Sequence, residues 1–124
     1  MDKVSVNKPK VLLVDNDKGI VNFLKLKLKI SGYDATCCST GEECLEHTPK
    51  IKPDIILLDV NLPGIDGVET LKRLREFSSI LVVILSGKHS ITDEFTAAGA
   101  SAFVRKPFDL EELVAQIKTL LQQA

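Results

Sequence analysis

Four short apolar runs in this chain each end on a polar group, and the four groups make a chemical set. Val11–Val14 runs into Asp15, Ile55–Leu58 into Asp59, Leu81–Leu85 into Ser86, and Ala102–Arg105 into Lys106-Pro107. In a parallel sheet the C-terminal strand ends share one edge, which is where open α/β folds place their ligands. Two carboxylates, a hydroxyl and an ammonium would then face one shallow cleft. Such a set suits a divalent cation and a phosphoryl group. Phosphoryl transfer to a carboxylate needs an oxygen nucleophile, a cation across the developing charge, and fixed donors on the equatorial oxygens. Asp59 leads into the turn-rich Val60-Asn61-Leu62-Pro63-Gly64 and would be a rigidly mounted nucleophile. Asp15 would help hold Mg²⁺, which favours carboxylates plus waters. Ser86 and Lys106 would each take a phosphoryl oxygen.

Taken singly, these residues say little. An Asp after a strand is most often a turn former or a helix cap, and Asp17 is assigned mainly to capping over metal binding. A lone Ser86 or Lys106 carries no information. The weight comes from all four strand ends bearing a suitable group at once, with proline directly after the lysine.

The elements that must position this set alternate regularly. Strands are expected at 10–15, 33–38, 54–59, 80–86 and 101–105, and helices at 18–31, 41–48, 66–77, 90–98 and 109–122. Five βα units of this length predict a doubly wound, five-stranded parallel α/β sheet with helices on both faces. Thr40 with Glu43 and Asp109 with Glu112 have capping-box spacing, and Asp66 precedes the third helix as an N-cap. Gly32 and Gly99 stand where helices should stop. Residues 24–30 alternate Leu or Ile with Lys, which is strand periodicity. A helix is expected there nonetheless, because Asp17 can start it, Gly32 can end it, and about a dozen residues exceed a normal strand. Ile20, Val21, Leu24 and Leu28 give it an apolar face, and the lysine stems can cover apolar edges.

A chain of 124 residues is one domain in size. Residues 1–9 are polar and expected to form a flexible N-terminal tail, with the folded domain spanning 10–124. Lys and Arg total 16 against 17 Asp and Glu, for a net charge of -1. That balance argues against direct nucleic-acid binding or clinging to an acidic membrane through bulk charge. No apolar stretch approaches the roughly 20 residues of a bilayer span, and the first ten residues lack a signal-peptide core. Cys37, Cys38 and Cys44 have no metal-binding spacing and read as reduced, mostly buried residues of a cytoplasmic protein. Cys37 and Cys38, as strand neighbours, should face opposite sides of the sheet.

The segments VLLVDND, IILLDVNLPGIDG, VVILSG and GASAFVRKPF, in that order and spacing, resemble the receiver domain of two-component response regulators. The likeness is greatest to single-domain, chemotaxis-type members and spans residues 10–122. It implies a flavodoxin-like strand order and a cis Lys106-Pro107 peptide. It implies that Asp59 is the phosphoacceptor, Ser86 the hydroxyl that moves onto the phosphoryl group, and Lys106 the lysine that contacts it. Asp15 matches the first acid of the Mg²⁺-organising pair, and Asn61 sits where a backbone carbonyl completes the metal shell. Phe103 matches an aromatic switch residue that turns inward on activation.

The departure is Asn16, where the family usually has a second acid that ligates the metal. An Asn oxygen can still ligate Mg²⁺, but one negative charge is lost. At ~4 Å and an effective dielectric near ~20, that charge is worth on the order of several kcal/mol before solvation, so weaker Mg²⁺ binding is expected. Lys88, two residues beyond Ser86, is expected to alter the lifetime of the phosphorylated state. His47 and His89 read as surface residues rather than ligands.

The function implied is a switch in two-component phosphorelay signalling. A sensor histidine kinase or phosphotransfer protein would phosphorylate Asp59, and a downstream effector protein or a missing output domain would respond. No turnover of a separate substrate is expected beyond Mg²⁺-dependent self-phosphorylation and self-dephosphorylation. A homodimer through the last strand and helix is compatible with the sequence but marked by no distinctive residue. The alternative is a pseudo-receiver that binds partners without phosphate, which Asn16 alone favours. An unrelated flavin binder or doubly wound enzyme would want a Gly- or Ser/Thr-rich loop after the first strand, and Asp15-Asn16-Asp17-Lys18 is not one.

Overall fold

A computed structural model of the chain describes residues 8–87 and 92–123. Lys88 and His89 lie outside the described residues, as do positions 1–7 of the expected tail. The carbonyl of Pro9 accepts a hydrogen bond from the Asp34 amide at 2.9 Å.

The alternation read from the sequence is the observed architecture. The strands are β1 (Lys10–Val14), β2 (Asp34–Cys38), β3 (Ile55–Asp59), β4 (Leu81–Ser86) and β5 (Ala102–Arg105). Between and after them run α1 (Lys18–Ile30), α2 (Gly41–Ile51), α3 (Gly67–Arg75), α4 (Thr92–Ala98) and α5 (Leu110–Gln123). All four pairings are parallel, in the order β2-β1-β3-β4-β5. The strand order reverses between β1 and β3, and that switch point opens the crevice at the C-terminal edge.

Helices on both sides explain why β1, β3 and β4 are apolar at nearly every position rather than alternately. Val11, Leu13, Ile55, Leu57, Val83 and Leu85 face one core with Leu24 and Leu28 of α1 and Leu113 and Ile117 of α5. Leu12, Val14, Ile56, Leu58, Val82 and Ile84 face the other with Cys44 of α2, Leu71 and Leu74 of α3 and Phe95 of α4. Cys37 packs on the first side and Cys38 on the second, as their adjacency requires. All three cysteines are free thiols. Burial pushes the Cys38 thiol up to about 12 and that of Cys44 up to about 11, which keeps both protonated.

Local capping chemistry sets most helix starts. Asp17 accepts from the amides of Gly19 and Ile20, Thr40 from Glu43, Asp66 from Glu69, and Asp109 from Glu111 and Glu112. Glu43 reaches back to the Ser39 amide at 2.9 Å, one residue before the cap. Gly32 and Gly99 adopt φ of 98° and 102°, so both helices stop where a side chain would be strained.

Most described boundaries fall within one residue of expectation, and two helix ends differ by more. Helix α2 runs to Ile51, through Pro49, because Ile51 packs on the second core and the Lys52 amide still reaches the Thr48 carbonyl at 2.9 Å. Helix α3 stops at Arg75 rather than 77, since Glu76 and Phe77 tighten onto the carbonyls of Arg73 and Leu74. His47 is half-buried on α2 rather than a plain surface residue.

Close packing where α2 meets the start of α3 permits no side chain at Gly41. A Cβ there would stand 2.1 Å from Thr70 Oγ1 and 2.8 Å from Ile65 Cγ1. Thr70 is fully buried and donates to the Asp66 carbonyl at 2.7 Å, so it has nowhere to retreat. Gly41→Ala should therefore cost ~1–3 kcal/mol despite its better helix propensity. Gly19→Ala, whose Cβ would meet only Asp17 Oδ1 at 3.4 Å, should be neutral or stabilising by up to ~1 kcal/mol. Urea unfolding of the two variants checks both signs.

Candidate functional site

Backbone bonds beyond the strand ends carry the four polar residues into register. The Asp15 amide donates to the Cys38 carbonyl at 3.1 Å, and the Val60 amide, just past Asp59, to Leu85 at 3.2 Å. The Lys106 amide donates to the Ser86 carbonyl at 2.8 Å, which fixes the lysine opposite the hydroxyl-bearing strand end. The peptide between Lys106 and Pro107 is cis.

Asp15, Asp59 and Ser86 are respectively 6%, 5% and 7% exposed, so the cleft floor is nearly dry. Lys106 Nζ stands 3.1 Å from Asp59 Oδ1 and 3.5 Å from Asp15 Oδ2. One ammonium thus faces two carboxylates, leaving a net negative charge at the floor. Asp59 Oδ1 also accepts a long, 3.4 Å bond from the Asn61 amide. Asp15 Oδ1 is anchored by the Asp17 amide at 2.9 Å, while the buried Oδ2 has no hydrogen-bond donor among the described residues. An orphaned carboxylate oxygen beside a second carboxylate is what a divalent cation would satisfy, so the donor set fits Mg²⁺.

Burial pushes the Asp59 carboxyl above its ordinary value. The Asp15 charge adds to the shift, and the hydrogen bond and charge of Lys106 oppose it, with the Asn61 amide helping Lys106.

Of the residues singled out in the sequence, Asp15, Asp59 and Lys106 are brought into direct contact, and Ser86 borders them. Asn16 and Asn61 are exposed on the loops flanking the cleft. Asn16 and Asp15 also line a cavity of about 310 Å³ that reaches Lys18, Asn22, Ser39 and Glu43. Asp17 turns away to cap α1, so its charge does not replace the acid absent at position 16. Phe103 is half-buried on β5 beside Ile84 and packs on the second core, away from the carboxylates.

One contributor had no mark in the sequence. Glu42 on α2 accepts from the Ile65 amide at 3.2 Å and so ties down the loop that follows Asp59. Neither its spacing nor its neighbours distinguish it from any acidic residue of a first helical turn.

The sequence profile of the response regulator receiver domain matches residues 11–118. The chain belongs to that family. It is 36% identical over 118 residues to the transcriptional regulatory protein TrcR of Mycobacterium tuberculosis, covering 93% of this chain and 46% of that protein. With the transcriptional regulatory protein PrrA of Mycobacterium leprae it shares 37% over 121 residues, covering 95% and 52%. This receiver therefore spans about half the length of these curated relatives. Among solved structures, a CheY-like receiver domain protein from Methanospirillum hungatei superposes with a TM-score of 0.89 at 26% identity, covering 94% of this chain and 96% of the other. The receiver domain of Francisella response regulator 1452 gives 0.87 at 34% identity, covering 94% and 98%. The fold and the family assignment agree: the chain is a receiver domain of two-component systems.

The raised Asp59 value has a stability consequence. Folded Asp59 keeps its proton to a higher pH than it does unfolded, so its contribution to stability falls as pH rises through the window between the two values. Above that window its charge is a standing cost. In a chelating buffer, Asp59→Asn should raise the urea midpoint at neutral pH, and the gain should shrink as the pH is lowered through the window. A variant no more stable than wild type at neutral pH would mean that Lys106 fully offsets the buried charge.

Proposed function

We propose that this receiver accepts a phosphoryl group on Asp59 and changes partner affinity as a result. The observation that carries the reading is the Lys106 ammonium 3.1 Å from Asp59 beside an orphaned, buried oxygen of Asp15. A carboxylate oxygen of Asp59 would attack the phosphorus of a phosphohistidine on a sensor kinase or phosphotransfer protein. The P–N bond breaks, and the imidazole nitrogen keeps its electron pair. Lys106 would neutralise one phosphoryl oxygen, and the Ser86 hydroxyl would bond another. Asp15, Asp59, the Asn61 backbone carbonyl and Asn16 are the groups that would hold Mg²⁺. When bound, that ion supplies positive charge against the developing negative charge of the transferred group.

The energetic logic follows from the buried charges. Two carboxylates against one ammonium repel an incoming anion, so the apo cleft is poised against phosphate until a cation balances it. Once esterified, Asp59 no longer offers Lys106 a carboxylate, and the pairing within the cleft must rearrange. Ser86 ends β4, and Phe103 lies on the adjacent β5 opposite Ile84, so a shift at the cleft could be passed along the β4–β5 pair to the α4–β5–α5 face. A downstream effector, or an output domain such as a longer chain would carry, would read that change. The domain would promote its own phosphorylation and dephosphorylation without turning over a separate substrate.

The test is intact mass after incubation with acetyl phosphate or a phosphoramidate, with and without Mg²⁺. A Mg²⁺-dependent gain of one phosphoryl group, absent in Asp59→Asn, is the expected result. A folded protein that gains nothing at high Mg²⁺ would favour the phosphate-independent module. Restoring the acid with Asn16→Asp should lower the Mg²⁺ concentration for half-maximal phosphorylation by roughly tenfold, a gain of about 1.4 kcal/mol. Asn16→Asp with an unchanged Mg²⁺ requirement would remove position 16 from the metal's surroundings.

A further inference from the structure

The edge of the sheet opposite the acidic cleft carries a cavity of about 800 Å³, within the size range of small-ligand sites. Its walls hold five lysines from three separate parts of the chain. Lys8 and Lys10 lead into β1, Lys25 and Lys29 lie on one face of α1, and Lys52 caps α2 ahead of β3. Only two acids, Asp34 and Asp54, share the cavity, and Asp54 Oδ2 is already held by the Lys10 amide at 2.7 Å. Among the described residues none of the five ammonium groups is in an ion pair. Lys10 Nζ reaches no more than the Ile51 carbonyl, at 3.5 Å.

Helix electrostatics do not account for this gathering. Cations do favour helix C-termini, and Lys29 in the last turn of α1 and Lys52 at the C-cap of α2 fit that rule, but the other three do not. Lys8 and Lys10 belong to no helix. Lys25 and Lys29 are four residues apart on one helix face, where like charges oppose helix formation. Lys27, between them, is the one that finds a carboxylate, Glu111 of α5. Lys52 is the sole non-glycine residue of positive φ, 54°, among the described residues. Glycine fits that helix-ending position better. The fold thus gathers five lysines against two acids, one of the lysines in a left-handed conformation, around one cavity in a chain of net charge -1.

We infer that this cavity binds a small, multiply charged phosphate anion, of the condensed-phosphate class, at the end of the domain remote from Asp59. Lysines are compact point charges without the planar fork of arginine, so they select charge density over a fixed carboxylate or phosphate geometry. No arginine lines the cavity, and its only ring, Tyr33, is 8% exposed, which leaves little surface on which a base could stack. A phosphate chain can bridge lysines from all three segments at once, where orthophosphate would reach only some of them.

Calorimetric titration of the full chain with sodium tripolyphosphate tests this, in Mg²⁺-free buffer at fixed ionic strength with sulfate as the reference anion. Tripolyphosphate should bind at least ~10-fold more tightly than sulfate or orthophosphate, and the affinity should fall steeply with added salt. Lys25→Gln with Lys29→Gln should weaken binding by roughly 10-fold or more, while the exposed pair Lys72→Gln with Lys118→Gln leaves it unchanged. Lys52→Gly gives a second handle: it should weaken binding while raising the urea midpoint, because a charge is lost and backbone strain relieved. Amide shifts in the bound state should centre on Lys10, Lys29 and Asp54. Equal loss in the Lys72/Lys118 control, no preference over sulfate, or binding abolished by Lys106→Gln would each overturn the assignment.

Discussion

Two carboxylates, each less than a tenth exposed, are held against a single ammonium at the C-terminal edge of the sheet. Burying one net negative charge is costly, and the cost is visible in the raised Asp59 value and in the oxygen of Asp15 that finds no donor. Left to relax, such a cluster would separate or hydrate. It persists because each member sits at or one residue past the end of a fully hydrogen-bonded strand, with an additional ladder bond holding its position. The two cores on either side of the sheet, filled by Val, Leu and Ile at almost every position of β1, β3 and β4, supply the rigidity that this charge arrangement requires.

That arrangement is the basis of the proposed phosphoacceptor role. Under the proposed function, the buried carboxylate with a lysine at 3.1 Å would serve as the nucleophile, and the oxygen of Asp15 without a hydrogen bond would face the compensating positive charge. The same site connects to the surface through short paths. Ser86 and Phe103 lie on adjacent strands, and Phe103 packs against the core under α2, α3 and α4.

Charge is also divided along the strands. The cleft end holds Asp15, Asp59 and the capping acids Asp17 and Asp66, while five lysines surround the opposite end. A net charge near zero conceals this polarity, which emerges only when the strands are laid side by side. The position after Asp15 shows the same economy on a local scale. Asp17 is consumed by the first turn of α1, so its charge is not directed into the cleft, and the neighbouring Asn16 is uncharged.

Much was legible in the sequence because it depends on short-range physics. The caps at Asp17, Thr40, Asp66 and Asp109 act within three residues, and the stops at Gly32 and Gly99 reflect backbone freedom at single positions. The lysine-interrupted segment 24–30 was readable as a helix from its ends and length, although its alternation suggested a strand. The apolar runs and the groups ending them named the candidate site residues, of which Asp15, Asp59 and Lys106 are in contact. Tertiary structure alone decided what those residues do to one another. Lys106 meets both Asp59 and Asp15 because four strands, β1, β3, β4 and β5, lie parallel and in register, and no local pattern encodes those distances. Glu42 holding the loop at Ile65, the orphaned oxygen of Asp15 and the gathering of lysines at the far edge have the same origin. Each depends on groups far apart in sequence that only the packed sheet brings within a few ångströms, where Coulomb and hydrogen-bond energies become decisive.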